Sequence, residues 1–208
     1  DVVGGEADIA RLLQLLALAG GGSRQIAFVT GEAGIGKTTL VEAFLATAPV
    51  SGSVEVSVAT GRGIRRHSLE EPLMPVLEAI GRLARGRHAA RVVQLLREHA
   101  PGWLVQLPWL VEPGDLRELR ASLAGTTAER MLRVFAQLVE ELTTEVTLVL
   151  VLQDLHWGDQ PSVSFVDTLL RDLHDRPLLV VALGRPDVHD RFPRLWAGRG
   201  LQEIQLRE

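Results

Sequence analysis

Gly31-Glu32-Ala33-Gly34-Ile35-Gly36-Lys37-Thr38 decides the reading of this chain. The stretch fills the G-x4-G-K-[ST] pattern at every fixed position. Glycines admit positive φ and let backbone N–H groups crowd around a polyphosphate. A helix that follows such a loop points its N-terminus at the anion. Lys37 is expected to reach the β- and γ-phosphates and the Thr38 hydroxyl to ligate Mg²⁺. Gly31, Glu32, Ala33, Gly34, Ile35, Gly36, Lys37, Thr38 and Thr39 form the expected nucleotide-binding loop. The bland alternative is a chance glycine-rich turn. The flanks oppose it, because residues 25–30 (QIAFVT) read as a buried strand. Leu40, Val41, Phe44 and Leu45 then mark one face of a helix that stops before Pro49.

Working outward, Ile9, Leu12, Leu13 and Leu16 recur at helical spacing, with Glu6 and Asp8 in the first turn and Gly20-Gly21-Gly22 as the stop. Residues 53–60 (SVEVSVAT) alternate and predict a second strand. Residues 61–125 lack a strong strand signal and predict a helical insertion, with helices around 73–83 and 91–99. Within it Trp103 and Trp109 lie between prolines, and both are expected to be buried. Thr126-Thr127-Ala128-Glu129 has the capping-box pattern ahead of an amphipathic helix carrying Met131, Phe135, Leu138 and Leu142. Residues 147–152 and 177–183 are apolar strands, Pro161 opens a helix between them, and residues 201–206 alternate as an edge strand. Strands apolar on both faces, alternating with helices, predict a parallel sheet covered on both sides. The fold class is therefore α/β: a three-layer P-loop NTPase sandwich with a mainly parallel central sheet and a helical insertion between the second and third strands.

The 208 residues suit a single domain with that insertion. Hydrophobic residues make up 46% and charged residues 23%, which excludes a disordered chain. The net charge of −4 lacks the basic excess of a dedicated nucleic-acid binder, so no direct nucleic-acid binding is expected. The absence of cysteine excludes disulfides and thiolate chemistry. No apolar run approaches a membrane span, and a cytoplasmic location without membrane contact is expected. The chain opens at Asp1 rather than Met and reads as a piece of a longer protein.

A phosphate loop needs a distant acid at the end of a neighbouring apolar strand. Leu148-Val149-Leu150-Val151-Leu152-Gln153-Asp154 offers one, with an amide at the first acid position. Gln153 can hydrogen-bond a metal-bound water but brings no charge. Asp154 is then the base that orients the attacking water, a shifted metal anchor, or simply the cap of the turn after the strand.

Gln153-Asp154-Leu155-His156-Trp157-Gly158-Asp159 resembles the "DDLHWAD" signature of the STAND ATPases, AAA-like signal-transduction NTPases of large bacterial transcription regulators and of adenylate cyclase and kinase fusions. Val2-Val3-Gly4-Gly5-Glu6 resembles that family's opening "VGRE". The phosphate loop is of the family's type. Leu183-Gly184-Arg185-Pro186 resembles its strand-end "TxRP", and residues 99–108 resemble a segment of its cyclase- and regulator-linked members. The resemblance covers nearly the whole chain. It implies ATP or ADP with Mg²⁺ as ligands, Val3 and Gly4 at the adenine, Asp154 at the second acid, and Arg185 reading the γ-phosphate. Lys37, Asp154 and Arg185 are the implied catalytic set. Thr38, Asp154 and, through water, Gln153 are the implied metal side. The partners it implies are attached signalling or DNA-binding modules, with nucleotide-dependent self-association; lid and output modules would lie outside this chain. Two positions depart from the pattern, Gly5 for the arginine of "VGRE" and Gln153 for the first acid.

The expected function is a slow regulatory ATPase acting as a nucleotide switch. The alternatives are a catalytically weakened nucleotide-binding module, a DNA-acting AAA-type ATPase and a small-molecule kinase. Trp157 is expected to pack; His156 either orients its loop, senses phosphate or is a satisfied structural histidine. Residues 187–190 are expected to form an exposed turn. Arg62, Arg65 and Arg66 are expected to lie in a solvated loop.

Overall fold

Strand residues that alternate between two apolar faces build the centre of the molecule. The computed structural model describes residues 5–48, 55–62, 73–122, 127–154, 160–191 and 195–207. Its strands are β1 (Gln25–Thr30), β2 (Val56–Arg62), β3 (Thr147–Gln153), β4 (Leu178–Gly184) and β5 (Gln202–Gln205). They pair in the order β2-β3-β4-β1-β5, and every pairing is parallel.

Residue parity divides the interior in two. Ile26, Phe28, Leu148, Leu150, Leu152, Leu178, Val180 and Ala182 enter one core. Ala27, Val29, Val149, Val151, Leu179, Val181 and Leu183 enter the other. Against the second face pack α1 (Glu6–Gly20) and α2 (Lys37–Thr47), through Leu12, Leu16, Leu40 and Phe44. Against the first pack α3 (Met74–Leu83), α4 (Ala89–His99), α5 (Pro101–Gln106), α7 (Ala128–Leu142) and α8 (Gln160–Asp172). Helix α6 (Pro113–Ser122) and the short α9 (Val188–Arg191) complete the set. The expected three-layer α/β sandwich is thus observed, and strands buried on both faces explain why their sequences read as unbroken apolar runs.

Helices α3 to α6 lie within the expected insertion of residues 61–125, and α7 follows it before β3. Their anchor is a cluster of Trp103, Phe135 and Phe165, with ring centroids 5.0 to 6.3 Å apart. Trp103 is fully buried and its indole N–H donates to the Met131 carbonyl at 2.9 Å, so its polar edge is satisfied. Trp109 departs from expectation, being 55% exposed. The 3-10 turn Pro108–Leu110 carries it outward, where it lies over Gly81 with the Arg85 guanidinium 5.2 Å from its ring.

Three local readings shift. The second strand runs over Val56–Arg62 rather than 53–60, and its expected first residues lie outside the described set. Helix α7 is capped by Thr127, whose hydroxyl accepts from the Arg130 amide at 3.3 Å. The residue three along is thus Arg130; Thr126 and the Glu129 side chain lie outside the described set. Residues 187–190 are not a bare turn, because α9 begins there and buries Val188 in the core. Among the described residues no helix is long and apolar enough to cross a membrane.

Candidate functional site

The site starts where β1 ends. Thr30 closes the strand, its carbonyl accepting from the Leu206 amide at 2.8 Å, and the phosphate loop follows. Gly36 N-caps α2 with φ 101°, and Gly34 has φ 83°, both in the region that side chains resist. Glu32, Ala33 and Gly34 are exposed, while Gly36, Lys37 and Thr38 are half-buried at the head of α2. No acidic residue occupies the first turn of α2, which leaves the positive end of its dipole uncompensated.

Lys37 folds back over the loop. Its Nζ donates to the carbonyls of Gly31 at 2.6 Å and Glu32 at 2.7 Å. Burial and the nearby Arg185 charge hold its ammonium below the ordinary lysine range, while Asp154 and Glu32 act in the opposite sense. Lys37, Arg185 and Asp154 thus share one electrostatic field, although they come from three parts of the sequence.

Strand register explains the meeting. Thr30 lies opposite Gly184 across β1 and β4, and Leu152 opposite Ala182 across β3 and β4. The residues that follow, Gly31, Arg185, Gln153 and Asp154, therefore emerge along one carboxyl edge of the sheet. Parallel α/β sheets bind ligands outside the carboxyl ends of their strands. Asp154 has φ 58°, a left-handed conformation that aspartate tolerates better than most residues and that turns the chain sharply at the strand end.

The same edge holds a residue whose part the sequence concealed. Arg62 ends β2 directly opposite Gln153 in the β2–β3 register. Its Nε and one terminal nitrogen both donate to the Gln153 Oε1, at 3.0 and 2.8 Å. Its Nε also lies 3.6 Å from Asp154 Oδ2. The Arg62 amide donates to Glu78 Oε2 of α3 at 2.8 Å, and the other Glu78 oxygen accepts from Arg82 at 2.7 Å. Arg62 is therefore part of the strand-end constellation, not of a solvated loop. Arg65 and Arg66 lie outside the described residues. Elsewhere Arg87 pairs with Glu55 and Arg91 with Glu145.

A second small cluster flanks β1. Glu203 Oε1 of β5 accepts from the Thr30 hydroxyl at 3.1 Å and lies 3.3 Å from His189 Nε2. The His189 ring stands edge-on to Phe28 at 5.8 Å. Val3, Gly4, His156 and Trp157 lie outside the described residues.

The donor set at the strand ends is poor in oxygen ligands for a divalent cation. Among the described residues no group of three His, Cys, Asp or Glu side chains could hold a metal. The Gln153 amide oxygen already accepts two N–H groups of the Arg62 guanidinium. That oxygen is the atom that would accept from a metal-bound water. The Asp154 carboxylate shares the same cation. Thr38 remains as a neutral hydroxyl at the head of α2. The strand-end residues fit a divalent cation poorly.

Comparison with known proteins agrees with this geometry. A model of the family described as AAA ATPase domain matches residues 1–181. Among solved structures the chain is similar to Cdc6p from Pyrobaculum aerophilum, with a TM-score of 0.58 and 16% identity over 99% of this chain and 46% of that one. It is also similar to the Aeropyrum pernix ORC1 protein in complex with DNA (TM-score 0.51, 19% identity, 97% of this chain, 44% of that one). The Aeropyrum pernix ORC2 protein in its ADP form gives a TM-score of 0.51 at 16% identity, over 97% of this chain and 47% of that one. The chain spans less than half the length of these solved proteins, and at such identities the likeness is one of fold. No curated protein matches it. With the family model matched over most of its length and the phosphate loop in its structural place, the chain belongs to the AAA ATPase domain family.

Proposed function

We propose that this domain is the nucleotide switch of a STAND-class signal-transduction or transcription-regulator protein, binding ATP or ADP and hydrolysing ATP slowly. Family membership carries nucleotide binding itself. The observation that carries the switch is the meeting of Lys37, Arg185 and Asp154 in one electrostatic field at the carboxyl edge. Lys37 and Arg185 are two cations that partly repel in the free protein, and a terminal phosphate between them would relieve that repulsion. A ligand switches a protein only through unequal affinity for its conformations. Arg185 follows β4, the neighbour of the strand that leads into the loop, and in this reading it contacts the γ-phosphate that ADP lacks.

In this reading Gly31 to Thr39 wrap the phosphates and Val3 and Gly4 approach the adenine. Asp154 orients a water that attacks the γ-phosphorus. The bond from that phosphorus to the β–γ bridging oxygen breaks, ADP leaves, and the water proton passes by way of the Asp154 carboxylate to the released phosphate. Lys37 and Arg185 neutralise the charge that moves onto the phosphate oxygens. Arg62 lies 3.6 Å from the same carboxylate and competes with the attacking water for it, in keeping with slow turnover. Where Mg²⁺ accompanies the nucleotide, Thr38 is its protein ligand. Attached output modules read the nucleotide state, and nucleotide-dependent self-association is their expected route.

A second reading is favoured by Gln153: a module that retains nucleotide without turnover. Incubation with Mg-ATP, rapid desalting and identification of the retained nucleotide separates the two. ADP on the protein supports the slow ATPase, and intact ATP supports the inert module. A protein that retains neither, and that does not bind ATP at equilibrium, refutes both. The likeness to the Aeropyrum pernix ORC1 protein in complex with DNA suggests a third reading, which predicts salt-sensitive DNA binding. The net charge of −4 weighs against it.

A further inference from the structure

We propose that Arg62 occupies, at the ends of β2 and β3, the position that a divalent cation would serve, so that this domain binds ATP without requiring Mg²⁺. The inference rests on the nucleotide site proposed above.

Three observations carry it. The first is the engagement of Gln153, whose single amide oxygen accepts two N–H groups of one guanidinium at 3.0 and 2.8 Å. A metal-bound water at that oxygen would have to share it with a cation. The second is the distance of 3.6 Å from the same guanidinium to Asp154. A divalent ion at this carboxylate would sit beside a fixed positive charge, and the two cations would compete for one anion. The third is the anchoring of Arg62 itself. It faces Gln153 in the β2–β3 register, and its amide is held by Glu78 at 2.8 Å. Gly61, next to it, has room for no side chain, since a Cβ there would lie 1.7 Å from the Pro75 carbonyl oxygen. The backbone that carries the guanidinium is therefore fixed from the α3 side.

Gln153 and Arg62 form a matched pair in this arrangement. An acid at position 153 would meet the guanidinium as a full ion pair and be neutralised by it. Restoring the acid alone therefore does not restore a metal site. Removing the arginine and restoring the acid together would leave two free carboxylates at the strand end, with the Thr38 hydroxyl available at the head of α2, a donor set that suits Mg²⁺. Charge neutralisation of the phosphates meanwhile falls to Lys37 and Arg185, which need no metal.

The test is a fluorescence titration with a ribose-labelled ATP, in excess Mg²⁺ and in EDTA. Four proteins are compared: the unaltered chain, Lys37→Ala, Gln153→Glu, and the double variant Arg62→Ala with Gln153→Glu. The unaltered chain is expected to bind within about twofold in the two buffers, and so is Gln153→Glu. The double variant is expected to bind about tenfold or more tightly in Mg²⁺ than in EDTA. Lys37→Ala is expected to lose binding in both. If the unaltered chain binds about tenfold more weakly in EDTA, the inference is overturned while the nucleotide site stands. A folded double variant that stays indifferent to Mg²⁺ overturns the part assigned to Arg62. Absence of binding by the unaltered chain in both buffers overturns the nucleotide site itself. If the double variant does not fold, the unaltered chain and Gln153→Glu decide the matter by themselves.

Discussion

Gly61→Ala is expected to destabilise the domain, whereas the same exchange at Gly114 is expected to stabilise it. A Cβ at Gly61 would lie 1.7 Å from the Pro75 carbonyl oxygen and 2.6 Å from its carbon, both backbone atoms. Real Cβ contacts essentially never fall below 3.0 Å, so the start of α3 and the end of β2 must separate by more than an ångström. No flexible side chain can absorb that shift, because α3 is packed through Val76, Ala79, Ile80 and Leu83. Overpacking of this kind costs about 1–3 kcal/mol, and a backbone obstruction belongs at the upper end. Alanine recovers about 0.4–1 kcal/mol by restricting the unfolded chain. The net loss is then about 2 kcal/mol. For a domain of this size that lowers Tm by about 4–8 °C. Gly114 in α6 has nothing within 4 Å of a built Cβ, so only the favourable effect acts there, raising Tm by about 1–4 °C. Thermal unfolding followed by far-ultraviolet circular dichroism reads both. Equal Tm values for the two variants would refute the close approach of α3 to β2.

Lys37→Ala should weaken ATP binding by about a hundredfold or more, because a charge-assisted contact to phosphate is lost in a half-buried site; a titration returning unchanged affinity would remove Lys37 from the phosphate site. The pH dependence follows from its lowered pKa. Burial and Arg185 make the ammonium lose its proton below the ordinary lysine range, so ATP affinity should fall as pH rises into the alkaline range. Lys37→Arg should flatten that fall, and parallel profiles would show that another group titrates. Arg185→Ala should weaken ATP more than ADP, by about tenfold in the ratio of the two Kd values, whereas an equal loss for both would make Arg185 a general anchor. Trp103→Ala should cost about 3–5 kcal/mol by emptying the centre of the insertion, and a denaturation midpoint near that of the unaltered chain would contradict its burial.

The phosphate loop and the strands could be read from the sequence because both are local signals. A fixed spacing of glycines marks the loop, and an apolar run between breakers marks β1, β3 and β4. The carboxyl-edge meeting of Lys37, Asp154 and Arg185 could also be anticipated, since each follows the end of a strand in an alternating α/β chain. The position of Arg62 could not. In sequence it opens a run of arginines and glycines that resembles any solvated loop. Its part depends on β2 pairing with β3 in a register that sets it opposite Gln153, 91 positions away. Strand length was the missing signal. Extending the second strand by two residues, to Arg62, brings the guanidinium to the strand end. Trp109 shows the converse difficulty, since a tryptophan between buried helices reads as core until the turn that carries it is known. Glu203 and His189 were overlooked for a related reason, as their contacts with Thr30 and Phe28 join β5 and α9 to β1 across long separations.

The edge strand β5 has a consequence for colloidal behaviour. It is four residues long, it pairs on one side with β1, and only Ile204 among its residues is buried. Gln202, Glu203 and Gln205 give it a polar, partly charged character, and the Arg11 guanidinium of α1 donates to the Glu203 carbonyl at 3.1 Å. Long apolar edges recruit strands from other molecules and seed fibrils, while short and charged ones do not. The interior strands β3 and β4 have the opposite composition, mostly leucine and valine, and would aggregate readily if exposed. Their protection depends on lying at the middle of the sheet, with a brief polar strand standing guard at its margin.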